Sequence, residues 1–489
     1  MSEMAGMATA TVASNRIAWR DGAAGPAAGD GMAAAFAQAA AGGQALFLYW
    51  GAAWCPPCNR VKADIFARDD FAARMRHLLP VRLDGDSPGA QALAARYRLR
   101  SYPTLLLFRP DGSEITRLPC ELDGELFIAA LDVALQANYT AAQSLQAALT
   151  SERALATDEW ALLSHYSWDT DEGRLLGGRD PAATLTALAA ACPADADAGR
   201  FAARLSLHAM VAINAMHASS APAVDAGPDA DALLAILVDA PLARANMDLL
   251  GNSGIALIKA TAGRRAELVA ALSAAAKAWS GDPRLGASDR LSALRLQMRL
   301  ARLVGPAAAA AAPPEQISRQ IAAMSSAMLA VSVDPHARHA LVNTAVGALH
   351  DAGLPQLAEA LLLAELPRSH SPYYFMLSLA ASAKRRGDTA AMLDWYQQAA
   401  AGATGPATRI QWSVTYLASL IDHAPQDSDR IEQAAQALLR DIDASADADT
   451  FQQRNGSQLQ RAAAKLAGLP QAGAHARAVA TAIAAGLAE

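Results

Sequence analysis

The first feature of chemical interest is a pair of cysteines, Cys55 and Cys58, which are separated by two prolines and preceded by Trp54. The apolar run Ala45–Trp50 just before them predicts a buried strand, and a helix is expected to begin at Pro56. The start of a helix offers unpaired N–H groups and the positive end of the helix dipole, both of which stabilise a thiolate. Cys55 is therefore the candidate nucleophile, and Cys58, one turn further on, is the candidate thiol that resolves a mixed disulfide.

A proline also opens a second strand-like run downstream, where Tyr102 and Pro103 precede Thr104–Phe108. Proline cannot donate to a sheet ladder, and X–Pro bonds are the common site of cis peptides. We therefore predict a cis peptide at Pro103. The cysteine pair and this proline together are more specific for redox chemistry than either feature alone.

The elements that must position these residues are predicted to form a βαβ unit followed by ββα. The active-site helix is expected to continue unbroken through Val61–Ile65 to about Arg76, and a turn is expected at Arg109–Gly112. The other predicted helices are Met32–Ala41, Ala90–Tyr97 and Gly124–Leu135, and the strands are Ala45–Trp50, Val81–Leu83, Thr104–Phe108 and Glu114–Leu118.

On these motifs, residues 14–138 resemble the thioredoxin superfamily, in particular its bacterial thioredoxin-like domains. The resemblance implies an α/β thioredoxin-like fold in which Cys55 attacks a substrate disulfide and Cys58 resolves the intermediate. It also implies that Pro103 faces Cys55, so that the backbone of Tyr102 can pair with an extended substrate.

The resemblance further implies that Trp54 and Pro56 form an apolar rim for substrate binding, but the chain departs from thioredoxins proper. Tyr49 stands where they carry a buried acidic residue, and Pro56 stands where they carry glycine. The proton acceptor for Cys58 is therefore open, with Asp84, Arg82 or a water molecule as alternatives. The missing carboxylate leaves the reduction potential undetermined. The helix-kinking proline that usually follows the motif is also absent, and this absence favours a thioredoxin-like branch over thioredoxin itself.

Other interpretations of the cysteines remain open. A Cys-X-X-Cys pair can be half of a zinc site, or it can be a structural or inactive pair, but two further ligands at suitable spacing are not evident. Cys120 is either a small buried loop residue or a third redox thiol beside the proline loop. Cys192 is expected only to pack. His336 and His339 share a helix face, and without a third ligand they do not predict a metal site.

The rest of the chain is predicted to be all-α. Residues 139–305 carry helical patterns without a recognisable repeat, and residues 315–489 are predicted to form tetratricopeptide-like helical repeats. A Gly- and Pro-containing stretch, Gly305–Pro314, predicts a linker between these two blocks.

The repeat prediction rests on spacing. Gly353 and Gly387 are 34 residues apart, and each precedes a helix with small and aliphatic residues on one face. A third helix pair is predicted at Thr408–His423 and Asp429–Arg440. Several aromatic residues of this region either line a concave peptide-binding groove or belong to the core: Tyr373, Tyr374, Phe375, Trp395, Tyr396, Trp412 and Tyr416.

Composition excludes some functions. A net charge of −6 in 489 residues provides no basic surface for nucleic acid, and no apolar stretch approaches the ~18 residues of a membrane helix. Residues 1–13 are expected to be disordered, and the acidic start Met1–Gly6 does not resemble a secretory signal. With only four cysteines, a reducing cytoplasm is expected, and the high alanine content favours a bacterial source.

Two functions follow. The first is a thiol–disulfide oxidoreductase, which reduces or isomerises protein disulfides while the helical region selects substrates or partners. The second is a redox-linked chaperone or scaffold, in which the helical repeats hold client proteins. The chain shows no dinucleotide fingerprint after a strand, so no cofactor is expected and electrons must arrive from a partner such as thioredoxin reductase or glutathione.

Overall fold

The structure is a computed structural model that describes residues 17–25, 29–87, 89–219, 227–261, 263–303, 314–444, 453–469 and 473–486. The predicted disordered segment 1–13 and nearly all of the predicted linker Gly305–Pro314 lie outside the described residues. The proposed division of the helical region at that linker therefore stays a prediction.

The N-terminal part contains a five-stranded mixed sheet with the order β1-β3-β2-β4-β5. The central strand β2 pairs in parallel with β3 and antiparallel with β4, and β4 and β5 form a hairpin. Gly112 has a φ of +85° at the predicted hairpin turn, a conformation that glycine adopts readily. The strands are β1 Arg20–Asp21, β2 Leu46–Gly51, β3 Leu79–Asp84, β4 Thr104–Phe108 and β5 Glu114–Leu118.

Helices cover both faces of this sheet, so the predicted α/β thioredoxin-like order of elements is confirmed. One face of β2, including Leu48, is buried under the first and fourth helices, and the other face, including Phe47, is buried under the active-site helix and the fifth helix. The helices of this part are α1 Asp30–Gly42, α2 Pro56–Val61, α3 Asp69–Met75, α4 Ala90–Tyr97 and α5 Gly124–Gln136.

The prediction of one long active-site helix is wrong. The helix α2 ends at Val61, a π-helical turn follows over Lys62–Phe66, and Arg68 is extended with ψ 141° before α3 begins. The cause is tertiary, because Phe66 stacks on Phe71 at 5.0 Å and also contacts Trp19 at 5.1 Å between ring centroids. Such aromatic contacts stabilise the widened turn.

The region after residue 138 is helical throughout its described residues. None of these helices has the length and apolar character needed to cross a bilayer. The helices are α6 Ala141–Thr150, α7 Thr157–Ser164, α8 Trp168–Asp171, α9 Pro181–Ala191, α10 Arg200–Ser219, α11 Ala230–Val238, α12 Ala240–Ala245, α13 Met247–Ala260, α14 Arg265–Gly281, α15 Ala287–Ala301, α16 Glu315–Val331, α17 Pro335–Asp351, α18 Pro355–Glu365, α19 Pro372–Arg385, α20 Thr389–Gly402, α21 Pro406–His423, α22 Ser428–Ala444, α23 Gln453–Ala467 and α24 Ala474–Gly486.

The helical region packs directly on the thioredoxin-like part. A single apolar cluster joins Phe127 and Leu131 of α5 to Leu145 of α6, Trp160 of α7 and Leu205 of α10. Buried charge also crosses this boundary, since the fully buried guanidinium of Arg117 on β5 lies 3.4 Å from Asp171 of α8. The two regions therefore share one core on this side of the sheet.

The predicted turns at Gly353 and Gly387 are present between α17 and α18 and between α19 and α20, with φ of +73° and +74°. The third predicted helix pair is observed as α21 and α22. The helices are thus confirmed, and their classification as tetratricopeptide-like repeats stays a prediction.

The aromatic residues proposed to line a groove are mainly core residues. Tyr373, Phe375, Trp412 and Tyr416 are each at most 7% exposed. Tyr374, Trp395 and Tyr396 are partly buried and pack against apolar clusters. The groove interpretation fails for the four buried residues, because their rings fill the spaces between helices or contact the thioredoxin-like part.

Candidate active site

The cysteine pair lies where β2 ends and α2 begins. Cys55 is the N-cap residue of α2, with φ −71° and ψ 117°, and its Sγ accepts a 3.2 Å hydrogen bond from the backbone N–H of Cys58. Pro56 and Pro57 occupy the first helical positions, where proline costs no backbone hydrogen bond. The predicted placement of Cys55 at a helix N-terminus is therefore confirmed, and both cysteines are in the thiol form.

Burial controls the ionisation of the pair. Cys55 is 3% exposed and Cys58 is fully buried. Burial raises the pKa of the Cys55 thiol, and the Cys58 sulfur adds to this, while the Cys58 N–H and Lys62 oppose it. Burial also disfavours charge on Cys58, but hydrogen bonds from Cys55 and the Ala52 backbone, together with Lys62, bring the pKa of Cys58 below its ordinary value. Because the two sulfurs share a hydrogen bond, the pair titrates as one coupled unit, and Lys62 favours its charged form.

The sequence did not identify a proton acceptor for Cys58, and in the structure two side chains, Tyr49 and Lys62, lie near this thiol. The Tyr49 side chain interacts with Cys58, and burial raises the pKa of its phenol well above the ordinary value. The Lys62 ammonium lies 6.0 Å from the centre of the Tyr49 ring. Burial lowers the pKa of Lys62, whereas both cysteines and Asp84 oppose that change. Asp84, one of the proton acceptors considered from the sequence, is therefore close enough to Lys62 to affect its pKa.

The second predicted element lies beside the pair. The Tyr102–Pro103 peptide bond is cis, as predicted. The Cys120 thiol donates to the Pro103 carbonyl at 3.4 Å, which confirms that Cys120 borders this loop. Burial raises the pKa of Cys120 well above its ordinary value, and the charges of Asp169 and Cys58 act in the same direction. Cys120 is therefore a neutral thiol in this structure.

The residues expected to form an exposed rim are covered. Trp54 is 5% exposed, and Pro56 is buried as well. Tyr374 of α19 stacks on Trp54 at 5.9 Å with an interplanar angle of 19°, and Trp412 of α21 meets it edge-on at 5.6 Å. The Trp54 indole N–H donates to Thr408 Oγ1 at 2.7 Å. Contact of Trp54 and Pro56 with substrate therefore stays a prediction and requires this cover to move.

Asp86 completes the contact between Trp54 and α21. Its carboxylate accepts from the Thr408 N–H at 2.9 Å and from the Thr408 hydroxyl at 2.7 Å. It also lies 3.3 Å from Trp54 Nε1. Burial raises the pKa of Asp86 to about 6, although the bonds from Thr408 and Trp54 oppose this change. We call α17, α19 and α21, which cover the motif, the cap.

Two imidazoles of the cap, His336 and His339, and a third, His370, in the turn just before α19 form hydrogen bonds with residues around the motif. His339 Nε2 lies 3.1 Å from the Trp54 carbonyl, and His370 Nε2 lies 3.0 Å from the Ala53 carbonyl. His336 Nδ1 lies 2.7 Å from Asn59 Oδ1. Burial lowers the pKa of both His336 and His339 to about 4. These rings are neutral at pH 7 and hold the cap on the loop through hydrogen bonds.

No group of three or more potential metal ligands was found where the structure describes the chain. The His370 ring lies near those of His336 and His339. The sequence did not group it with them, because it lies 31 residues after His339 and beyond a turn. Cys192 ends α9, and burial raises its pKa to about 11, in agreement with the predicted packing role.

Comparison with known proteins agrees with this geometry. A family model described as a thioredoxin-like domain matches residues 32–135. Residues of this chain are 33% identical over 97 positions to the thiol:disulfide interchange protein DsbD 2 of Pseudomonas aeruginosa. That alignment covers 19% of this chain and only 16% of the relative, and no solved structure matches.

Residues 32–135 are thus a thioredoxin-like domain, followed by a largely helical region. Together with the family match, the thiol pair at the helix N-terminus points to the thiol–disulfide oxidoreductases as the class of chemistry. The structure places Cys55, Cys58, Tyr102, Pro103 and Cys120, all singled out from the sequence, in one region, and their roles stay predictions. The sequence did not reveal that the helical region covers them.

Proposed function

We propose that this protein is a thiol–disulfide oxidoreductase that reduces disulfides of peptides and proteins through Cys55 and Cys58. The observation that carries the proposal is the pair of free thiols at the start of α2, with Cys55 Sγ accepting the Cys58 N–H beside the Pro103 loop. The thioredoxin-like match over residues 32–135 supports the same chemistry.

In the proposed reaction the Cys55 thiolate attacks one sulfur of the substrate disulfide, and the other substrate sulfur leaves as a thiolate that takes up a proton. The Cys58 thiolate then attacks the Cys55 sulfur and expels the second substrate thiolate. Two electrons pass from the dithiol to the substrate, and a Cys55–Cys58 disulfide forms. Lys62, whose pKa is lowered by burial, is the group proposed to take up the Cys58 proton, and the neutral Tyr49 hydroxyl is proposed to donate a hydrogen bond to the Cys58 thiolate.

The oxidised pair must be reduced again by an external thiol system. We propose that the electron donor is either a thioredoxin reductase-type enzyme or glutathione, and that the reaction takes place in a reducing cytoplasm. The support for that compartment is the small number of cysteines, two of which are the redox pair.

A single-turnover experiment tests the proposal without a donor. Protein reduced with dithiothreitol and freed of it is mixed with bis(2-hydroxyethyl) disulfide, and the released 2-mercaptoethanol is counted. We expect two equivalents from the wild type and formation of a Cys55–Cys58 disulfide, whereas Cys55→Ser should release far less than one equivalent. Equal release by Cys55→Ser and wild type would overturn the proposal.

A second candidate is a redox-linked scaffold, in which the helical region binds client proteins and the thiol pair senses oxidation. The observation that favours it is the cover over Trp54, which leaves Cys55 only 3% exposed. In that case oxidation of the pair should change how tightly an unfolded client is held, with little turnover. Binding of reduced, unfolded α-lactalbumin to the oxidised and reduced protein distinguishes the two functions.

A further inference from the structure

A cleft of about 550 Å³ lies between the thioredoxin-like domain and the helices α8, α10 and α13. Its walls near the redox pair include Pro57, Pro103 and Cys120. Pro57 is one of the two residues between the cysteines, so the cleft begins beside the motif. A volume of a few hundred Å³ is the size of sites that hold small ligands or a few residues of an extended chain.

The cleft opens beside the pair on a side that the cap does not cover. Neither cysteine of the pair is among its described lining residues, and Pro57 is where the cleft meets the motif. The Trp54 side is closed by Tyr374 and Thr408, whereas neither of these lines the cleft. A rigid protein surface cannot follow a narrow cleft to a sulfur that is 3% exposed. A flexible chain of a few residues can.

The charges on the cleft wall are mostly negative. Among the lining residues that the structure describes, four are carboxylates and Arg204 is the one lysine or arginine. Arg204 forms a two-pronged ion pair with Asp248, at 2.9 and 2.6 Å. Another carboxylate, Glu172, pairs with Arg100 at 2.7 Å. Asp169 and Glu121 form no ion pair within the described part of the chain. Asp169 accepts from the Ser167 hydroxyl, and Glu121 accepts from Asn252 and is also influenced by the charge of Arg60. The wall remains negative on balance, which favours a positive charge in the cleft.

A buried polar atom also points to a ligand. His208 is 8% exposed, lines the cleft, and its Nε2 has no hydrogen-bond partner in the structure. Burial together with Arg204 lowers the pKa of His208 to about 3, although the nearby Ser164 carbonyl and Asp248 oppose this change. The ring is therefore neutral, and its Nε2 can pair with a polar group of a ligand.

Resting on the proposed exchange function, we propose that the cleft binds short, flexible, cationic peptide segments that contain a cysteine, and delivers their disulfide to Cys55. Lysine or arginine side chains beside the cysteine meet Asp169 and Glu121, and a polar group of the peptide pairs with His208 Nε2. The same charges disfavour anionic peptide segments.

The test compares two capped peptides as disulfide-linked dimers, Lys-Cys-Lys and Glu-Cys-Glu, in single turnover with the reduced protein. Each rate is divided by the rate of the same dimer with dithiothreitol, which corrects for intrinsic reactivity. We expect the lysine dimer to be reduced at least tenfold faster on this scale. Asp169→Lys should lower that ratio at least threefold, whereas the control Glu152→Gln, an exposed acid outside the cleft, should keep it.

The outcomes separate the two claims. Equal corrected rates for the two dimers in the wild type, with bis(2-hydroxyethyl) disulfide reduced normally, would overturn the cleft proposal alone. Oxidation of the pair by none of the three disulfides would overturn the exchange function and the cleft proposal with it. Because the wild-type ratio is itself decisive, the test does not depend on the folding of a variant.

Discussion

The indole N–H of Trp54 donates to Thr408 Oγ1 at 2.7 Å, although 354 residues separate them in the chain. The residue that precedes the candidate nucleophile is thereby fixed to α21. The Asp86 carboxylate accepts hydrogen bonds from the backbone N–H and from the hydroxyl of the same threonine. Access to the thiol pair from this side is therefore coupled to the docking of the helical cap.

Replacing this hydroxyl should loosen the cap. Thr408→Val removes the two 2.7 Å hydrogen bonds of this buried hydroxyl, to the indole N–H and to Asp86 Oδ2. Only the longer 3.3 Å contact between those two groups remains, so we expect a cost of about 1–3 kcal/mol. We expect iodoacetamide to label Cys55 about tenfold faster in this variant than in the wild type. Mass spectrometry of the peptide that contains Cys55 measures the labelling rate.

The matched control is Thr415→Val on the same helix, because the Thr415 hydroxyl binds only the Gln411 carbonyl of its own helix. Labelling in this variant should match the wild type. If Thr408→Val also labels at the wild-type rate, the cap is not held closed by this contact.

Acid should weaken the cap through its histidines. The folded-state pKa values of His336 and His339 are about 4, below the ordinary value of 6.5, so the folded state binds fewer protons than the unfolded state. The stability that they contribute is complete above pH 6.5 and is lost as the pH falls toward 4. The raised pKa of Asp86, about 6, contributes the opposite slope between pH 4 and 6.

Comparing variants isolates the histidine contribution. The glutamine of His339→Gln can still donate to the Trp54 carbonyl but does not titrate. Between pH 7 and pH 4.5 the free energy of unfolding should therefore fall less in this variant than in the wild type, the difference being on the order of 2 kcal/mol. Urea unfolding at these two pH values measures this difference. His77→Gln, at an exposed position, should follow the wild type. Parallel curves for His339→Gln and wild type would contradict the argument.

Lys62 should help to ionise the thiol pair. Its positive charge lowers the pKa of both Cys55 and Cys58, so Lys62→Met should shift the appearance of thiolate to higher pH, by roughly one unit. Thiolate absorbance at 240 nm against pH measures the shift. The exposed Lys259→Met serves as the control. An unchanged titration in Lys62→Met would remove Lys62 from the proposed proton exchange.

The sequence predicted the local features of the domain well, because local patterns determine them. A pattern of a few residues was enough to predict each of three features: the apolar strand β2, the turn at Gly112 and the helix start at the two prolines of α2. The π-helical turn at Lys62–Phe66 was missed, because it depends on packing of Phe66 against Trp19.

The cap could not be predicted for a similar reason. Its contacts with the motif join Trp54 to His339 and Thr408, which are 285 and 354 positions away. No local pattern marks a threonine or a histidine as the partner of a distant tryptophan. The buried aromatic residues Tyr373 and Trp412 illustrate the same limit, because helical spacing alone does not tell a groove from a core.

The most direct test of the exchange mechanism is to trap its intermediate. Reduced Cys58→Ser protein is mixed with bis(2-hydroxyethyl) disulfide, and the modified residue is located by peptide mass spectrometry. The account predicts one 2-mercaptoethanol adduct on Cys55 that persists in Cys58→Ser and is resolved rapidly in the wild type. Adducts confined to Cys120, or an adduct on Cys58 in Cys55→Ser that forms as fast as the adduct on Cys55, would contradict the assignment of Cys55 as the nucleophile.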